Sequence, residues 1–371
     1  MNAGPSSAKN GAIVAALIER LLAQFESPAS RPLLRRHAWQ VGSSLIEQRH
    51  LGASLEDLFL PAWNHLPRLP GEDHRQGPGQ ETAEADRLTV YCADLEATGV
   101  DPGPLPWRSS ETAQGGLVAG LEGSDYRALW DPEGRALHLF DRRRKLAIYI
   151  VGSRRDFRSW ERSIPLRHIL HWWTQQQGGQ LVHAAAVGTA EGGVLLLGAS
   201  GAGKSTTTLA CLASGLKIAS DDFVLVEPGP EPDGGKAVVH SVSATAKLSR
   251  QALERFPDLA SRMVNPREPE PEKALFFLDS FQPSPLIGRM PLKGVVTLNR
   301  CAQVDTTWSP ISAATALQAS APNTLFLLPG ERAESFARLA ALFRRHPCFR
   351  LDLGSDLRQI PDRIGQLLAR L

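Results

Sequence analysis

Near the middle of the chain, Gly198-Ala199-Ser200-Gly201-Ala202-Gly203-Lys204-Ser205 satisfies the pattern G-x-x-x-x-G-K-[ST] at every fixed position. Each residue type there answers a need of triphosphate chemistry. The glycines let the main chain approach closely and turn its N–H groups inward. Lys204 brings a mobile positive charge for the β- and γ-phosphates, and the Ser205 hydroxyl is a hard oxygen donor for Mg2+. The flanks agree. Gly193 to Leu197 is an apolar run of strand length, and Thr206 to Ala213 carries no helix breaker before Gly215. Strand, glycine loop and helix in this order predict a cradle for ATP with Mg2+, lined by residues 198–206.

A metal at such a cradle needs a carboxylate, and the nearest candidates are Asp221 and Asp222, which follow Leu216-Lys217-Ile218-Ala219. A helix of about eleven residues carries the chain roughly 16 Å from the phosphates. About six extended residues bring it back by roughly 20 Å, beside Lys204 and Ser205. Two adjacent carboxylates can divide the work, one facing Mg2+ and the other taking the proton of an attacking hydroxyl. Residue types alone leave the division open. Successive strand residues point to opposite sides, so joint use requires a kink where the strand ends. His183 lies in the small-residue strand Leu181 to Val187, where residue type by itself favours a core histidine.

Val182-His183-Ala184-Ala185-Ala186-Val187, the glycine loop, and Ser220-Asp221-Asp222, in that order and at this spacing, resemble the catalytic half of HPr kinase/phosphorylase. The likeness is nearer to the HPr-kinase-related serine kinases, including those encoded beside lasso-peptide genes. It implies an α/β, sheet-rich P-loop kinase domain related to phosphoenolpyruvate carboxykinase, transferring the γ-phosphate of ATP to a serine hydroxyl of a peptide or protein. It further implies Asp221 as general base, Asp222 with Ser205 on the metal side, and His183 as a functional partner of the aspartate. A looser likeness continues through Ser243 to Leu248, Lys273 to Leu275 and Arg289 to Leu292. Within it, Lys247, Lys273 and Arg289 are expected to meet the transferring phosphoryl group or the acceptor. The Glu-Ile-Arg-Gly-type signature of true HPr kinases is missing after the Asp pair, which counts against HPr as acceptor and against the reverse phosphorylase reaction. HPr kinases assemble as hexamers, so a homo-oligomer stays open.

Other readings of the same loop are a kinase of a small hydroxylated molecule and a nucleotide-binding regulatory protein. No L-S-G-G-Q signature points to an ABC-type ATPase, and no N-K-x-D follows the loop as a GTPase would require.

The rest of the chain must position these residues. At 371 residues it has room for two or three domains, and its net charge of +2 gives no global field for nucleic acid or membrane. The basic run Arg142-Arg143-Arg144-Lys145 reads as an exposed turn. Cys92, Cys211, Cys301 and Cys348 are widely spaced, which suggests neither zinc nor a disulfide framework and suits a reducing cytoplasm. Asp57, His65 and His74 fit no metal-ligand spacing. No apolar run is long enough to span a membrane, and Ala12 to Ile18 passes at once into Glu19 and Arg20, which reads as an amphipathic helix rather than a signal peptide.

Residues 1–66 are expected to be a helical segment, disordered over Met1 to Asn10, with helices at Gly11 to Gln24, Leu34 to Gln48 and Ser54 to Phe59. Residues 67–86 read as a polar linker. Residues 87–179 read as a mostly antiparallel β-rich domain with core Trp107, Trp130 and Trp160, ending in a helix over Pro165 to Gln177. Residues 180–371 form the nucleotide domain.

Overall fold

The computed structural model describes residues 5–68, 87–107, 112, 116–229, 235–266 and 273–371. Of the expected linker, residues 69–86 lie outside the described residues. The fold is mixed α/β. Backbone contacts divide the chain into two units: Met1–Leu60, Leu66–Gln177 and Leu328–Glu331 in one; Pro61–His65, Gly178–Leu327 and Arg332–Leu371 in the other.

In the first unit, helix α1 (Pro5–Phe25) starts inside the segment expected to be disordered. Its apolar stripe, Val14, Leu17, Ile18, Leu21 and Phe25, is buried. The expected helix at Leu34 to Gln48 is instead a β-hairpin: β1 (Leu34–Val41) pairs antiparallel with β2 (Ser44–Leu51). Gly42, at φ 59°, makes the tight turn between them. The strand character of β2 is masked in the sequence for a physical reason. Glu47, Gln48 and His50 of β2 are buried and bonded through Arg49 Nε–Glu47 Oε1 (2.6 Å) and His50 Nε2–Gln48 Oε1 (2.8 Å). Polar residues in the core erase the alternation that marks a strand.

Helix α2 (Glu56–Trp63), β3 (Arg87–Asp94) and the one-turn α3 (Leu95–Thr98) follow, then β4 (Tyr126–Asp131), β5 (Ala136–Asp141) and β6 (Leu146–Val151). The sheet runs β1-β2-β3-β6-β5-β4. The hairpin of residues 34–51 thus belongs to the same sheet as residues 87–151, so a separate helical segment over 1–66 does not exist. β1–β2, β4–β5 and β5–β6 are antiparallel, as a mostly antiparallel sheet requires, while β2–β3 and β3–β6 are parallel. Residues 116–121 make isolated bridges, among them Thr112–Val118 and Leu117–Leu129. The basic run 142–145 is the turn between β5 and β6. Helices α4 (Ser159–Ser163) and α5 (Arg167–Gln176) complete the unit. Trp107, Trp130 and Trp160 are only partly buried, whereas Trp39, Trp63 and Trp173 are fully buried.

In the second unit the expected strand Leu181 to Val187 is broken in two, β7 (Gln180–Val182) and β8 (Ala185–Thr189). Then come β9 (Gly192–Leu197), α6 (Lys204–Ala210) with a 3-10 turn at Cys211–Ala213, β10 (Lys217–Ser220), β11 (Val224–Glu227) and β12 (Val238–Ser241). A separate two-stranded ribbon joins β13 (Thr245–Leu248) to β14 (Ala274–Phe277), with the short α7 (Arg250–Leu253) between. The long β15 (Arg289–Arg300), β16 (Thr307–Ile311), α8 (Ala313–Leu327), α9 (Arg332–Arg345), β17 (Cys348–Leu353) and α10 (Gln359–Leu368) end the chain. The sheet order is β10-β8-β9-β15-β12-β11-β7, with β17 on β15 and β16 on β17.

β9 and β17 each pair parallel with β15. One face of this sheet packs with α6, α10 and the β13–β14 ribbon, through Leu196, Val296, Leu351, Leu209, Ile360 and Phe276. The other face packs with α8 and α9, through Leu195, Leu197, Val295, Ala316 and Leu339. Leu195, Leu196 and Leu197 are each wholly buried. At about 1.5–3 kcal/mol per such side chain, their burial anchors the strand from which the glycine loop springs.

Candidate functional site

The loop Gly198–Gly203 leaves the end of β9 and turns into α6. Gly201 (φ 84°) and Gly203 (φ 109°) hold backbone conformations that side chains disfavour. A Cβ at Gly203 would also lie 2.6 Å from Leu353 Cδ1. Ala199, Ser200 and Gly201 are exposed while Gly198 and Lys204 are buried. Lys204 Nζ donates to the Gly198 carbonyl at 2.7 Å, closing the loop on itself. Burial pushes this ammonium below its ordinary pKa, and repulsion from Lys273 and Lys247 adds to that, against the pull of Asp222 and Asp221.

Two chain corners meet beside this loop. β10 pairs with β8 as Ser220 opposite Ala186, and β11 pairs with β7 as Val224 opposite Val182. Residues 183–184 and 221–223 are therefore matching bends in two antiparallel segments. That is why a histidine in one reaches an aspartate in the other. The kink required for both carboxylates to converge is this corner.

The carboxylates have different partners. Ser205 Oγ–H donates to Asp221 Oδ2 at 2.8 Å, and the Lys247 main-chain N–H donates to the same oxygen at 3.0 Å. Asp221 is 1% exposed, and its Oδ1 is buried without a hydrogen-bond partner. Burial raises its pKa, and the neighbouring Asp222 charge adds to the rise, against the bonds from Lys247 N–H and Ser205. Asp222 lies 3.2 Å from His183 Nε2 through Oδ1 and 2.8 Å from Lys247 Nζ through Oδ2. Its side chain is 16% exposed. Burial opposes its ionisation, but Lys247 and His183 outweigh that and hold it well below the usual carboxylate range. Burial lowers the His183 pKa despite Asp222, so the ring is neutral near pH 7. A carboxylate only accepts, so the ring proton sits on Nε2.

The residues named from the sequence are thus mostly brought together. Gly198 to Thr206, His183, Asp221, Asp222 and Lys247 form one cluster, and Lys273, the residue before β14, is close enough to act on Lys204. Arg289 is not brought in: it is exposed at the first residue of β15, opposite His240, and no contact to the cluster is found among the described residues. Two contributors had no sequence signal of their own. Phe223 stacks on His183 with ring centroids 4.9 Å apart, and Thr324 of α8 accepts the His183 main-chain N–H at 3.2 Å.

A hard divalent cation suits this donor set. Ser205 Oγ and the buried, unpartnered Asp221 Oδ1 are adjacent oxygen donors. Among the described residues no cluster of three or more His, Cys, Asp or Glu could hold a metal alone. Mg2+ commonly takes one or two protein ligands and completes its shell with phosphate and water oxygens. No described helix is long and apolar enough to cross a membrane.

No family model matches the chain, and no curated protein matches it in sequence. Among solved structures, the Hpr(Ser) kinase/phosphatase from Coxiella burnetii is similar over 52% of this chain and 94% of that chain, with 10% identity and a TM-score of 0.28. At that score the likeness carries no argument about the site.

Proposed function

We propose that this chain is an ATP-dependent kinase that passes the γ-phosphate to a serine hydroxyl of a peptide or protein. The observation that carries the reading is the pair of unlike aspartates at the foot of the glycine loop: Asp221 against Ser205, Asp222 against His183 and Lys247.

The partners divide the roles in the opposite sense from the motif order. Asp221 is sealed from solvent beside Ser205, and its raised pKa marks a carboxylate in want of a cation. It is the metal-side group, with Ser205. Bound Mg2+ would neutralise charge on the phosphate chain. Asp222 is the carboxylate that an acceptor arriving from solvent can reach, so it is the general base. His183 donates Nε2–H to one oxygen of Asp222 and fixes its orientation, leaving the second for the acceptor once Lys247 moves away. Lys247 and Lys204 are then the cations that meet the phosphoryl oxygens, where a loose transition state spreads its charge. The serine acceptor follows from the motif resemblance, and the cytoplasm and a homo-oligomer remain part of the same proposal.

Incubation with γ-labelled ATP and arrayed serine peptides tests this. Label on a peptide serine is the expected result. Label on a small hydroxylated molecule would change the acceptor class, and ADP release with no labelled acceptor would favour a nucleotide-binding regulator.

A further inference from the structure

The parallel strands β9, β15 and β17 end at one edge of their sheet, where Leu197 pairs with Thr297 and Arg300 pairs with Leu353. The glycine loop lies on that edge. A Cβ at Gly198 would sit 3.5 Å from the Leu298 carbonyl oxygen and 3.8 Å from its Cβ, and one at Gly203 would sit 2.6 Å from Leu353 Cδ1. The loop therefore begins against Leu298 and ends against Leu353.

Val296 and Leu298 of β15 share a core cluster with Leu351 and Leu353 of β17 and with Leu209 of α6. Strand side chains alternate, so Arg300 belongs to this same face, directly beyond Leu298 and beside Leu353. Its backbone is held in place, because the next N–H, that of Cys301, donates to the Leu353 carbonyl at 3.2 Å. The side chain is exposed, and no hydrogen bond, ion pair or ring contact to it is found among the described residues. Arg350, on the opposite face of the same edge, is by contrast neutralised by Asp352 at 3.1 Å.

We propose that Arg300 is a second cation for the phosphate chain of a nucleoside di- or triphosphate, closing over the loop from the side opposite the base. The proposal rests on the nucleotide reading above and adds a residue to it. A guanidinium presents parallel N–H donors that match two phosphate oxygens, which the Lys204 ammonium cannot do. Lys204 grips the phosphates from within the loop and Arg300 from its outer rim.

Calorimetric titration of the full chain with ADP, without Mg2+, tests this in wild type, Arg300→Gln and Arg300→Lys. The expected result is affinity weakened about tenfold or more in Arg300→Gln, the scale of a charge-assisted pair, and partly recovered in Arg300→Lys. The unfolding temperature of the nucleotide-free protein should not change. Equal ADP affinity in wild type and Arg300→Gln would make Arg300 a solvated surface cation and overturn the proposal alone. Weakened affinity with a matching fall in unfolding temperature, unrelieved in Arg300→Lys, would mark a structural role and overturn it too. A wild-type protein that binds no ADP would overturn the nucleotide reading itself, and Arg300 with it.

Discussion

Ser205 and Asp221 stand sixteen positions apart in sequence, yet the hydroxyl of one donates to the carboxylate of the other across 2.8 Å. Between them the chain runs out along α6 and back along β10. The contact puts Asp221 on the loop's serine, while Asp222 is held by His183 and Lys247.

Asp221→Asn should separate stability from function. Burial and the adjacent Asp222 charge disfavour the ionised form, so removing that charge should raise the unfolding temperature of the nucleotide-free protein. The same change should abolish the gain in ATP affinity that Mg2+ confers. Scanning calorimetry with and without Mg2+ reads both effects. A lower unfolding temperature with intact Mg2+ dependence would take Asp221 off the metal side.

Lys204→Ala should eliminate measurable ATP binding, because the buried ammonium now held by the Gly198 carbonyl is the loop's own partner for phosphate. Unchanged affinity by titration calorimetry would remove the loop from the account.

Lys247→Met should move the acidic limb of the rate profile. In wild type, Lys247 and His183 keep Asp222 ionised well below the ordinary carboxylate pKa, so activity that needs this carboxylate persists until the pH falls through that low value. Without the Lys247 ammonium the pKa rises, and activity should fail at a higher pH on acidification. The main-chain N–H to Asp221 survives the substitution. A lowered rate with an unmoved acidic limb would show that Lys247 does not act on Asp222.

How much of this was legible depended on the range of the contacts involved. The glycine loop is a local pattern, and the return of Asp221 follows from helix and strand lengths alone. The meeting of His183 with Asp222 is different in kind. It depends on two long-range pairings, Val182 with Val224 and Ala186 with Ser220, that bend together, and only resemblance pointed to it. Thr324 lies on α8, 141 positions from His183, and has no motif. In the first unit the buried polar residues of β2 concealed a strand. Only local likeness points to Arg289, and β15 starts with it exposed.

That first unit should lose stability on acidification. Burial lowers His50 and His138 to about 3, so the stability tied to their neutral forms is present above about pH 6.5 and is lost as the pH falls toward 3. Burial raises Glu161 to about 7, which acts in the opposite sense: its contribution is complete below about pH 4.5 and is lost as pH rises through 7. The two histidines together are displaced further than the one carboxyl, so the net trend from pH 7 to pH 4 is downward. Glu161→Gln should raise the unfolding temperature at pH 8 and leave it nearly unchanged at pH 4. A larger gain at pH 4 would reverse this assignment.

The most direct measurement compares Asp222→Asn with wild type in a single-turnover experiment with γ-labelled ATP and a serine acceptor identified by peptide array. ATP affinity should be retained while label transfer falls by roughly two to four orders of magnitude, the scale of a lost general base. Transfer at the wild-type rate in Asp222→Asn would contradict the assignment of the base. Wild-type protein that binds ATP yet labels no hydroxyl at all would contradict phosphotransfer itself.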